Sequence, residues 1–479
     1  MRLLVRNGTL VSENGLVEAD ILCIDGIIAA TYEHGREVSA DETIDATGKL
    51  IFPGFIDPHV HSRDPGHTHK ETFERSTLGA LCGGLTTILE MPNAVPAVST
   101  VEIFEERRAH HEKSAWVDFG LWGLALGPEN DAEIPKMFDA GAVGVKFFWG
   151  YALDKETKSL IYNFAAAPPE SLLLPPENGE VLAMFETVAR TGGVLAAHCE
   201  DRHVLASSAK ALGHPIRTYD DLLAARPAVA EAVSIAVGAQ FAKATGCRFH
   251  VVHMASEEGA TVVREARAAG IPVTAETCPQ YLTLTADDAV ELGPLIKVYP
   301  PVRHQSDQDT LWAAIQDGNI ASIGSDHAPH LVAEKMAGFE EAPAGGLGVE
   351  TMVPLLVDAM IAGKITPERL AEVLSSTTAS IYGIYPRKGS LQLGTDADMT
   401  IIDPAGTTVI RNEDMHALNP VTTWDGWELR GSVSASVIRG QVAMRDGFPV
   451  GERRGIFIPA NHSIPGHELE NELVTAEAP

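Results

Sequence analysis

The chain has 479 residues, 45% of them apolar and 21% charged, the profile of a soluble globular protein with ample length for a large core. Against 36 Lys and Arg stand 65 Asp and Glu, and the net charge of −29 excludes the basic footprint of a nucleic-acid binder and opposes an anionic membrane surface. Five widely spread cysteines (Cys23, Cys82, Cys199, Cys247 and Cys278) form no CxxC pair and predict free thiols in a reducing, cytoplasmic setting.

In chain order, residues 1–49 read as short strands, LLVRNGTLV and ADILCIDGIIAATYE, broken by Asn-Gly and Asp-Gly turns. MRLLVRNGTLVSENG develops no signal-peptide core, and no apolar run reaches about 18 residues, so no membrane span is predicted. Eight β-branched apolar runs follow, at 50–57, 85–92, 116–125, 142–148, 193–199, 248–254, 271–278 and 321–326. They are apolar nearly throughout, as strands covered on both faces should be. Helical segments such as 101–113, 228–246 and 258–270 lie between them. The alternation predicts a closed parallel (β/α)8 barrel over 50–387; no GxGxxG follows any strand, which opposes a doubly wound open sheet. Residues 388–455 return to the hairpin style of 1–49, and the two ends predict one small β-sandwich domain. A Pro- and Leu-rich stretch at 157–179 interrupts the unit after the fourth strand, and 456–479 reads as a polar tail.

The chemistry-bearing residues sit where the apolar runs end. His59 and His61 close the first run two residues apart, so in an extended segment both point the same way and can chelate one ion. Lys146 lies inside AVGVKFFW near the end of the fourth, His198 ends the fifth, His253 the sixth and Asp326 the eighth. One such histidine is ordinarily structural. Six polar side chains on five strands, all bound for the C-terminal rim of one barrel, predict a metal site of N and O donors. That set suits Zn2+, with Mn2+, Co2+ and Fe2+ as alternatives.

The whole chain resembles the cyclic amidohydrolases of the amidohydrolase superfamily: dihydroorotases, hydantoinases and allantoinases. The resemblance rests on PGFIDPHVHSRDPG, GGLTTILEMPN, GVKFF, AHCED, VVHMAS, ETCPQYL, KVYPPVR and GSDHAPH, which run through the barrel in family order. It implies two divalent metal ions, one on His59, His61 and Asp326 and the other on His198 and His253. Lys146, carbamylated by CO2, would bridge them. It also implies Asp326 as the proton carrier between the attacking water and the leaving ring nitrogen, and a homodimer or homotetramer.

The substrate is less plainly written. Arg63 and Asn93 match the pair with which dihydroorotases hold a carboxylate, and an Arg fork suits that group. His330 in SDHAPH fits the same family. Tyr299, however, stands where dihydroorotases have an Asn before the paired prolines, and Tyr151 stands where hydantoinases place an oxyanion-stabilising tyrosine. The resulting expectation is hydrolysis of a cyclic ureide or imide, dihydroorotase-like or hydantoinase-like, to an N-carbamoyl amino acid, with allantoin as a third substrate. The rival from another class is a non-catalytic scaffold relative, opposed by the filled ligand positions.

Overall fold

In the computed structural model eight parallel strands lie side by side in sequence order: β1 (Phe55–Val60), β2 (Leu85–Glu90), β3 (Asp118–Leu124), β4 (Gly144–Trp149), β5 (Val194–Cys199), β6 (Arg248–Val251), β7 (Val273–Thr277) and β8 (Ser322–Ile323). The structure describes residues 1–157, 159–161 and 169–462. The continuation of β8 meets β1, where Val60 bridges His327 in parallel and His61 N donates to His327 O at 2.8 Å. The sheet is thus a nearly closed barrel, and the predicted α/β class holds.

Strands β1, β2 and β5 are buried at every position, which is why they read as continuous apolar runs and not as alternating ones. Trp122 on β3 is fully buried and its Nε1 donates to Pro58 O at 3.1 Å, pinning β1 across the interior. Truncating such a residue to Ala costs about 3–5 kcal/mol.

The predicted first run, 50–57, is divided. Leu50–Pro53 pairs antiparallel with Met399–Val409, outside the barrel, and β1 begins at Phe55. Gly54 makes the crossing: a Cβ there would lie 2.2 Å from Thr86 Oγ1 and 2.7 Å from Asp398 Cβ, so only glycine passes where the two layers touch. A seven-stranded sheet runs in the order Phe448–Pro449, Gln441–Arg445, Glu428–Ile438, Met399–Val409, Leu50–Pro53, Thr9–Ser12, Gly15–Glu18, joining both ends of the chain. A four-stranded sheet of Ile27–Tyr32, Asp20–Ile24, Arg2–Arg6 and Glu42–Asp45 covers it, with Leu3, Val5, Ile21, Ile51, Met399 and Val437 in the shared core. Beneath the barrel, Lys388 Nζ reaches Asp118 at 2.5 Å, Asp398 at 2.6 Å and Asp396 at 3.0 Å, tying the two bodies together.

After β4, Ala152–Asp154, Leu160–Ile161 and Leu172–Leu173 form a small antiparallel sheet; residues 158 and 162–168 of the predicted insertion lie outside the described residues. The start of the predicted tail is packed, because Phe457 bridges Phe119 and Ile458 is fully buried, while 463–479 lie outside the described residues. The helical stretch Tyr219–Thr245, 27 residues at mean hydropathy 1.5, is long and apolar enough to cross a membrane by composition alone. Half of its most apolar window is buried, and Glu231 accepts from Ala255 N at 2.9 Å, as in a core helix.

Candidate active site

Each functional side chain is aimed by a local device at a strand end. His59 and His61 flank the end of β1, and Asp57 on the same strand accepts from His59 N at 3.1 Å and Ser325 N at 3.0 Å, which holds the β8 loop carrying Asp326 against them. In AHCED, His198 ends β5, Glu200 turns back towards it, and Asp201 caps the next helix by accepting from His203 N and Val204 N. In VVHMAS, Ser256 caps helix Glu257–Ala268 three residues after His253. Arg63, His253 and Asp326 all adopt left-handed φ (62°, 39° and 49°), a strained backbone that a non-glycine residue keeps where the surroundings enforce it.

The rim encloses a pocket of about 480 Å3, mouth included, whose wall contains His59, His61, Arg63, Asn93, Tyr151, His198, His253, Tyr299 and Asp326. His59 Nε2 and His61 Nε2 stand 3.4 Å and 3.5 Å from Asp326 Oδ1, and the three side chains offer ligand atoms within 4.8 Å of one another. Their outer ring nitrogens are engaged: His59 Nδ1 donates to Glu276 Oε1 at 2.5 Å, and His61 Nδ1 donates to Asn93 Oδ1 at 2.6 Å. Both Nε2 atoms are thereby turned to the pocket as acceptors.

Beside them, with the His253 ring centroid 5.3 Å from that of His59, His198 Nε2 donates to Glu200 Oε2 at 2.8 Å, so the lone pair of its Nδ1 faces His253 Nε2 at 3.0 Å. Two ring nitrogens at that distance require a proton or a cation between them. Burial holds the imidazoles of His198 and His253 below their ordinary range and that of His61 down to about 4, the neutral form that ligates metals. Burial works against the ionised Asp326 carboxylate, yet its contacts with His59, His61 and Lys146 outweigh it and hold the group below its ordinary range.

Lys146, on β4 between the two histidine groups in strand order, is fully buried and its Nζ has no hydrogen-bond partner among the described residues. Burial pushes its amine down to about 8. A buried, unpartnered amine is costly unless something completes it, and a depressed amine is the nucleophilic form. These features fit a pair of cations and a modified lysine.

Of the other predicted residues, Tyr151 and Tyr299 line the pocket, Tyr151 with its ring centroid 4.7 Å from that of His198. Arg63 lines it too, with Nε donating to Pro329 O at 3.2 Å. Asn93 lines it with its oxygen already given to His61. His330 is not in the pocket wall: it stands behind Arg63, where Lys70 Nζ donates to its Nδ1 at 3.2 Å and its Nε2 donates to Ala344 O at 3.0 Å. Sequence reasoning assigned no role to Asp57, Glu200, Glu276 or Arg226. The first three stand inside quoted motifs, PGFIDPHVHSRDPG, AHCED and ETCPQYL, beside the ligands they orient; Arg226 carries no local signal.

The amidohydrolase family model matches residues 50–443. The chain is 35% identical to an L-hydantoinase of Paenarthrobacter aurescens over 453 residues (93% of this chain, 94% of that one). It is 36% identical to an allantoinase of Rubrobacter xylanophilus over 464 residues (95% and 97%), and 34% identical to a dihydroorotase of Bacillus cereus over 447 residues (92% and 98%). The solved structure of the L-hydantoinase from Arthrobacter aurescens superposes with a TM-score of 0.88 at 34% identity, covering 95% of this chain and 99% of that one.

Proposed function

The chain belongs to the amidohydrolase family and is an enzyme that hydrolyses cyclic amides, and from that premise we propose how its rim residues divide the work. The observation that carries the proposal is the convergence of His59, His61 and Asp326 within 4.8 Å, the His198–His253 pair at 3.0 Å, and a buried Lys146 Nζ without a hydrogen-bond partner among the described residues. His59, His61 and Asp326 would hold one divalent ion, and His198 and His253 the other, with Lys146 bridging as its CO2 adduct. Zn2+ fits the imidazole and carboxylate donors, and Mn2+, Co2+ and Fe2+ are accepted by the same set. When bound, such a pair supplies Lewis acidity to the ring carbonyl and makes water nucleophilic near neutral pH.

Asp326 Oδ1 takes the proton of the attacking water as its oxygen bonds to the ring carbonyl carbon. The same carboxyl then delivers that proton to the ring nitrogen as the C–N bond breaks. Tyr151 donates its hydroxyl hydrogen to the oxygen that gains negative charge. Arg63 offers its remaining N–H groups to an anionic substituent or to the carboxylate of the product.

We rank 5-substituted hydantoins first, dihydroorotate second and allantoin third. The order is supported by Tyr151 in the pocket wall, while Asn93, whose oxygen accepts from His61, keeps its Nδ2 available to donate beside Arg63 to a carboxylate and so holds dihydroorotate in second place. The five free, buried cysteines support a cytoplasmic enzyme, and the resemblance alone supports a homodimer or homotetramer.

The test is metal analysis of the purified protein together with ring opening of hydantoins, dihydroorotate, allantoin, dihydrouracil and succinimide. About two divalent ions per chain and turnover of at least one ring are expected. Fewer than one ion, with no turnover after Zn2+ or Mn2+ plus bicarbonate, sinks the reading.

A further inference from the structure

Behind the His198 wall lies a side-chain hub that no barrel strand supplies. Arg226 sits between helices Tyr219–Ala225 and Ala228–Thr245, the second of which has Pro227 as its N-cap. Its guanidinium is buried and used on three sides. One edge grips Glu200, with Nε donating to Oε1 at 3.0 Å and Nη2 donating to Oε2. Nη2 also donates to the Tyr151 hydroxyl oxygen at 2.6 Å. The flat face stacks on the Tyr299 ring, 3.7 Å from its centroid. The backbone is fixed as well, because Arg303 Nη2 donates to Arg226 O at 3.0 Å.

These contacts link groups with separate tasks. Glu200 accepts from His198 Nε2, so the grip on Glu200 sets the direction of His198 Nδ1. At Tyr151 the donated bond occupies the oxygen from the guanidinium side. The hydroxyl hydrogen is therefore turned away from Arg226, towards the long 3.4 Å contact with Glu200 or into the pocket. A charged donor on the oxygen also polarises the O–H bond and makes it the stronger donor. A lysine can neutralise Glu200, but it cannot give a two-point grip, a third bond and a planar face together.

We propose that Arg226 is a positioning residue for the reaction: it aims the Tyr151 hydroxyl into the pocket and, through Glu200, locks the His198 ring. The inference rests on Tyr151 having the role given to it above.

The test is a double-variant cycle on Arg226→Lys and Tyr151→Phe, with kcat, KM, bound metal and thermal unfolding measured for each. Arg226→Lys should lower kcat about 100-fold with KM within about threefold, and retain its metal and its unfolding midpoint. Tyr151→Phe should cost a similar factor. The double variant should lie within about threefold of either single one, because both remove the same donor. Free guanidinium should restore Arg226→Gly at least about tenfold. A kcat for Arg226→Lys within threefold of the unsubstituted enzyme would overturn the proposal. So would losses that multiply in the double variant, or a fall in turnover wholly accounted for by lost metal, with turnover per bound ion unchanged, which would leave Tyr151 untouched. An unsubstituted protein inactive on every ring would instead defeat the reading of the site, and it would do so before any substitution was made.

Discussion

Lys146 and Lys388 are both sealed from water, at 0% and 1% exposure, and they live in opposite surroundings. Lys388, under the barrel, is clasped by Asp118, Asp396 and Asp398 within 3.0 Å, and although burial works against its charge the three carboxylates hold its ammonium well above the usual lysine range. Lys146, at the rim, has no hydrogen-bond partner among the described residues, and burial has lowered its amine to about 8. The same residue is thus a rivet at one end of the barrel and a reagent at the other. The amine under the barrel is satisfied by carboxylates; the one at the rim stands among imidazoles and left-handed backbone at a site that must accept ligands.

The sharpest way to break this contrast is to exchange losses. Lys146→Ala should drop turnover below about one-thousandth without unfolding the chain, and a short-chain carboxylate added with metal should restore part of it. Unchanged turnover would remove Lys146 from the centre. Lys388→Met should do the reverse. Taking one of two cations from Asp118, which keeps Arg439, and the ammonium from Asp398 costs up to about 3–5 kcal/mol, read as a lower unfolding midpoint, while kcat/KM measured well below that midpoint stays within about twofold. A Lys388→Met protein as stable as the original would show that the clasp holds nothing. At the substrate, Arg63→Ala should raise KM about 10- to 100-fold for rings bearing a carboxylate and much less for neutral 5-substituted hydantoins. Equal losses on both would make Arg63 a structural group held by Pro329.

A third buried lysine offers the gentlest test. Lys335 has no carboxylate, its Nζ donating to Lys297 O at 3.1 Å and Pro343 O at 3.2 Å, and burial followed by the neighbouring Lys297 charge lowers it to about 7. Between pH 7 and the ordinary lysine value of about 10.5 the unfolded chain binds this proton and the folded chain does not, so stability rises with pH. The slope from this group is at most about 1.4 kcal/mol per pH unit, and Lys335→Met should remove it from denaturant unfolding series. Lys388 behaves oppositely. Its folded value is raised, so its contribution is fully present below about pH 10.5 and is lost only as the pH climbs through the folded value.

The barrel was legible because strands buried on both faces leave unbroken apolar runs, and the ligands because each interrupts one of those runs at its end. Leu50–Pro53 was not separable from β1, since a strand of the sandwich and a strand of the barrel look alike when a single glycine joins them. Arg226 was invisible for another reason: its partners are Glu200, Tyr151 and Tyr299, the latter two about 75 residues away on either side, and no local spacing encodes such a meeting. The position of Asn93 was read correctly as lying at the pocket, but its bond to His61 depends on which ring nitrogen is used, which only coordinates reveal.

The crossing at Gly54 has a consequence for the chain as it is made. Leu50–Pro53 leaves the ribosome early, whereas its antiparallel partner Met399–Ile402 follows roughly 350 residues later. At about 5–20 residues per second that is a wait of about 20–70 s with one strand edge open. Through that interval the barrel can assemble behind it, but the apolar strand at its entrance is available to any neighbouring nascent chain with a free edge.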